Sequence, residues 1–89
     1  MSKEPSATSN GRSEYVFRLN ISKLLDVAAK AKDSTGAAIS RRTGISESSV
    51  YRILAGEAQP DLNSAMRIAE TYDIDLRELI KRASIEVAA

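Results

Sequence analysis

From Glu14 to Asn20 the chain reads "EYVFRLN", in which Tyr15, Phe17 and Leu19 alternate with Val16, Arg18 and Asn20. A repeat of two is the spacing of a strand, so a short extended segment is expected there. The period then changes. Ile21, Leu24, Leu25 and Ala28 recur at steps of three and four, which predicts a first helix running to about Lys32, capped by Asn20 or Ser22 and broken by "DSTG".

Thr35 is placed to cap a second helix, containing Ala38, Ile39 and Arg42, that stops at Gly44. Ser46 can cap a third, with Glu47 near the positive end of its dipole and Val50, Ile53 and Leu54 as its apolar stripe. The run "AGEAQPD" ends it at Gly56 and Pro60. Asp61 then caps a fourth helix with Leu62, Ala65, Met66, Ala69 and Tyr72 inward, and Asp75 with Glu78 has the spacing of a capping box for a fifth, built on Leu76, Leu79 and Ile80. Residues 1–13 offer almost nothing to bury and are expected to form a disordered arm, followed by one folded domain over 14–83 and a tail over 84–89. The expected fold is all-α: five helices with a short N-terminal extended segment.

Composition narrows the chemistry. A chain of 89 residues supports one modest core. It has no cysteine and no histidine, so the usual zinc ligands, the commonest nucleophile and the commonest general base are missing. No enzyme, no metal site and no cofactor is expected. No apolar run approaches the roughly 20 residues of a membrane span, and "MSKEPSATSNGRSE" has no signal-peptide core. The expectation is a cytoplasmic protein. The formal charge of +1 hides an asymmetry: residues 18–52 hold seven basic and three acidic side chains, residues 57–89 four basic and seven acidic. The basic half suits a polyanion.

Two short helices joined by a glycine turn, the second presenting small polar residues, is the organisation of a helix-turn-helix, here over residues 35–55. Over residues 20–80 the chain resembles the DNA-binding domain of phage repressors and Cro proteins, the xenobiotic-response-element family. The matching residues are Ile39 and the small Ser40 in the second helix, the turn "TGIS" from Thr43 to Ser46, and Val50 and Ile53 in the third. Downstream, "LAGEAQPDLNSAMRIAETYDIDLREL" resembles the family's glycine, polar turn, proline and two capped helices. The family prefers alanine at the position of Ser40, where small side chains let the two helices cross closely.

The resemblance implies a lambda-repressor-like fold and double-stranded DNA as partner, read in the major groove by a recognition helix at about 47–55. The family's base-reading positions map onto Glu47, Ser48 and Arg52. Arg52 can bond guanine O6 and N7 together, and Glu47 can accept from cytosine N4. Backbone phosphates are expected to meet Thr35, Gly36, Ser46, Ser49, Tyr51, Arg41 and Arg42. At Gly36 the family often has a phosphate-binding glutamine, which a backbone N–H would replace.

The reading is a sequence-specific transcriptional repressor acting on a (pseudo)palindromic operator, with no small-molecule ligand evident. Its rival from another class is a protein-interaction module, adaptor or antitoxin-like, on the same scaffold. One recognition helix reads few base pairs, so a homodimer is expected. Tyr15, Phe17 and Leu19 would pair as a strand with a symmetry mate, or the tail with Ile80, Ile85 and Val87 would associate instead; the alternative for Phe17 and Leu19 is that they cover the first helix of their own chain.

Overall fold

A computed structural model describes residues 14–85; the arm expected at 1–13 and the end of the tail, Val87 included, lie outside the described residues. The elements run β1 (Tyr15–Leu19), α1 (Ile21–Lys30), α2 (Gly36–Thr43), α3 (Glu47–Leu54), α4 (Leu62–Thr71), α5 (Leu76–Leu79) and β2 (Ile80–Ser84). Five helices were expected and five are present. The second strand was not expected, and the fold is therefore mostly helical with a small sheet rather than all-α.

The helix starts follow from local chemistry. Asn20, Thr35, Ser46 and Asp61 each accept a hydrogen bond from the backbone N–H three residues on, satisfying a donor that the first turn leaves without a partner. At α5 the capping box does not close: the Asp75 side chain accepts from Arg77 N, and Glu78 lies 3.8 Å from Lys23 Nζ instead. The ends of α1, α3 and α4 share one solution. Lys32, Gly56 and Asp73 take positive φ, and the next N–H returns to the last turn, as in Asp33 N to Ala28 O at 2.8 Å. The first helix accordingly ends at Lys30, two residues before the expected Lys32, and "DSTG" follows the turn.

Leu24, Ile39, Ile68 and Leu79 are the largest fully buried side chains, one from each of α1, α2, α4 and α5, with Val50 and Ile53 of α3 packed among them. Three expected core positions face out: Leu25, Leu62 and Met66 are exposed. On α4 Ala65 and Ala69 are buried as expected, but Ile68 completes the buried stripe in place of Leu62 and Met66, and on α1 Val27 takes the place of Leu25.

β1 pairs antiparallel with β2 of its own chain, in the register Tyr15 opposite Ser84 through Leu19 opposite Ile80. Ile80, expected as a helix residue, begins β2. Leu19, expected on a dimer face, is buried in the chain's own core, whereas Tyr15 and Phe17 are exposed farther along the ribbon. Asn20 N donates to Leu79 O at 2.8 Å, and Leu19 N to the Gln59 side chain at 2.8 Å, so the base of the ribbon is tied both to α5 and to the loop after α3.

Candidate nucleic-acid interface

The unit built by α2, the turn and α3 is held by side chains that return to the backbone. Gly44 ends α2 at φ 81°, ψ 8°, a conformation that a β-carbon disfavours. Thr43, buried, donates to Ile39 O at 2.8 Å and accepts from Ile45 N at 3.2 Å. Ser40 donates to Ile45 O, so the serine in place of an alanine binds the turn as well as keeping the helix crossing close. Arg67 of α4 reaches across to Thr43 O at 3.4 Å. The turn is thus fixed from both helices and from α4.

That fixing sets which face of α3 looks outward. Val50 and Ile53 are buried, while Glu47, Ser48, Ser49, Tyr51 and Arg52 are all exposed. On a helix of about 3.6 residues per turn, Ser48 and Arg52 project within about 20° of the direction opposite Val50. Of the three residues expected to read bases, Ser48 and Arg52 share this outward face, whereas Glu47, about 60° round the helix from Val50, is exposed at the start of α3 on the same flank as Tyr51. Below Arg52 the chain folds back, Glu57 N and Ala58 N both donating to Arg52 O at 2.9 and 3.3 Å, and leaves a shallow cleft walled by Ser49, Arg52, Gln59 and Ser64.

The residues expected at phosphates divide into four groups. Thr35 and Ser46 cap α2 and α3, and Ser46 also bonds the Ser49 hydroxyl at 2.8 Å, so these hydroxyls stand at the two helix starts. Arg41 is exposed on α2. Arg42 has another partner: its guanidinium binds both carboxylate oxygens of Asp33, which also accepts from the Tyr72 hydroxyl at 2.7 Å. Asp33 is buried, and the Arg42 hydrogen bond, with that of Tyr72, holds its carboxyl below the ordinary value. Burial and the same carboxylate raise the Tyr72 phenol. This triad ties the loop after α1 to α2 and α4. Gly36, expected to offer an exposed N–H, is buried beneath the Tyr51 ring.

The sequence reading passed over Asp33, Gln59 and Arg67 as positioning residues. Their partners lie 9, 40 and 24 residues away, beyond any local spacing rule.

Among the described residues no group of three or more His, Cys, Asp or Glu side chains could hold a metal ion, and no helix is long and apolar enough to cross a membrane. A comparison with protein-family models matches residues 28–79, more than half of the chain, to a helix-turn-helix family. Comparisons with curated proteins and with solved structures give no match.

Proposed function

The chain belongs to the helix-turn-helix family of the Cro and phage-repressor type, a family of DNA-binding regulators, and from that premise we propose that it is a sequence-specific transcriptional repressor binding a (pseudo)palindromic operator. The observation that carries this reading is the outward face of α3, where Ser48 and Arg52 stand exposed together, with Glu47 exposed at the helix start, on a helix whose opposite side is locked into the core. Arg52 takes a guanine by its two major-groove acceptors, Ser48 bonds either a base or its neighbour, and Glu47 accepts from a cytosine amine. Thr35, Ser46, Ser49, Tyr51 and Arg41 position the helix on the phosphates on either side.

The acting species in this reading is a homodimer. A single α3 spans too few base pairs to be found among genomic competitors, and a two-fold pair reads half-sites about 34–36 Å apart. An isolated two-stranded ribbon is marginal in water, and this one carries the exposed rings of Tyr15 and Phe17 in an edge-to-face pair at 5.7 Å. Pairing the ribbons of two copies covers those rings and closes a free strand edge. The N-terminal strand and residues 80–84 of the second candidate segment lie in that ribbon.

Selection of bound fragments from a random duplex pool tests the reading. The expected result is enrichment of a site with two inverted halves, bound saturably and with strong salt dependence. A pool that shows no enrichment and no binding at low salt would favour the protein-interaction module.

A further inference from the structure

The regulator reading sets Tyr51 on the phosphates and leaves unused the way its ring is matched to Gly36. A β-carbon placed on Gly36 would lie 2.7 Å from Tyr51 Cε1, 2.9 Å from Cζ and 3.0 Å from Cδ1. No real side chain sits that close to carbon. Gly36 is not one of the glycines with positive φ, so its backbone does not require glycine. It is also the first residue of α2, where glycine is a poor helix former. What the glycine supplies is room: one edge of the Tyr51 ring lies directly on the backbone at the start of α2. Because Cζ is among the contacting atoms, the hydroxyl it bears is placed there too.

That hydroxyl has no hydrogen-bond partner among the described residues, unlike the hydroxyl of Tyr72 on Asp33, and the Tyr51 side chain is 49% exposed. Its direction is also distinct. Tyr51 projects about 100° round α3 from Val50, on the flank of the outward face rather than its middle, where Ser48 and Arg52 stand. A side chain on the flank of a helix lying in the major groove meets the groove wall, which is phosphate, and not the base edges.

We propose that Gly36 is the positioning residue for the phosphate contact that the regulator reading gives Tyr51: the bare backbone at Gly36 fixes where the phenol hydroxyl stands to donate to a phosphate oxygen beside the bases read by α3. The proposal rests on α3 being the recognition helix. It gives Gly36 a role through the ring above it in place of a direct phosphate contact. The donor is neutral, so the contact is insensitive to sequence and releases no additional counterion.

The test uses the full chain and a duplex selected from a random pool, with a scrambled duplex beside it. Tyr51→Phe removes one exposed oxygen and leaves the packing on Gly36. It is expected to weaken binding to both duplexes by a similar factor, about tenfold for a hydrogen bond to a charged acceptor, with an unchanged salt slope and melting temperature. Gly36→Ala is expected to weaken binding comparably in the parent chain and to have no effect in a Tyr51→Ala background, where the added carbon meets no ring. Wild-type affinity in Tyr51→Phe overturns the contact while leaving recognition by α3 standing. A loss confined to the selected duplex makes Tyr51 a base contact and overturns the phosphate assignment. Equal losses from Gly36→Ala in both backgrounds overturn the positioning role. Failure of the parent chain to bind any duplex overturns this proposal together with the regulator reading.

Discussion

At the scale of single residues, two positions hold the interface in place by different physics. Gly44 acts through its backbone: at φ 81° a branched side chain is strained, and the nearest atom to an added β-carbon is only the flexible end of Arg67, 3.0 Å away. Gly44→Val is expected to cost about 1–2 kcal/mol, seen as a melting temperature lowered by several degrees; an unchanged value would mean the turn does not need the left-handed conformation. Asp33 acts through charge. Its folded carboxyl titrates below the ordinary 3.8 because Arg42, and then Tyr72, bond its ionised form. A depressed value means that the stabilisation is complete above the unfolded carboxylate range and is lost as pH falls through the folded value. Asp61, bonded by Ser64 N, contributes with the same sign. Asp33→Asn should therefore melt at a lower temperature at neutral pH and lose less stability than the parent between about pH 4 and pH 2. Parallel pH curves for the two proteins would count against the triad.

At the scale of elements, the ribbon decides how two copies would meet. Phe17 is 65% exposed, and Arg82 stands over the Tyr15 ring at 4.6 Å, so the outer ribbon is apolar with a basic rim. Phe17→Asp places a charge where two ribbons would pair and disturbs no buried residue. Sedimentation is expected to find a monomer whose melting temperature is close to that of a protein diluted below its dimer range; a persistent dimer would place the interface elsewhere. The helices were legible because caps act within three residues: Thr35, Ser46 and Asp61 each declare a helix start locally. The strand Ile80–Ser84 was not, because "IKRAS" has no clear alternation and becomes a strand only by pairing with residues 15–19 at the other end of the chain. Ile80 kept helical spacing from Leu76 and so counted with α5. The same limit hid Arg42, whose position on α2 suits a phosphate until Asp33 is seen beside it. On α4 the stripe through Leu62 and Met66 and the stripe through Ile68 lie on different sides of the helix, Ala65 and Ala69 fitting either, and only the neighbours of the helix choose between them.

At the scale of the whole molecule, a small core serves one purpose, to hold α3 with one side buried and the other side bare. Ser40, Thr43 and Arg67 lock the turn, Gln59 ties the loop after α3 to the base of the ribbon, and the Asp33 triad fixes α2 against α4. The outward face of α3 was legible in the sequence because the apolar positions Val50 and Ile53 determine which residues lie opposite. The measurement that tests this account most directly is the affinity of the parent chain and of Arg52→Ala for a pool-selected duplex and for a scrambled one at the same salt. Loss of a two-pronged guanine contact predicts a penalty of about 1–3 kcal/mol on the selected duplex, a relaxed preference at one base pair in each half-site, and a much smaller change on the scrambled duplex. Equal losses on both duplexes would make Arg52 a phosphate contact and contradict the assignment of α3 as the helix that reads sequence.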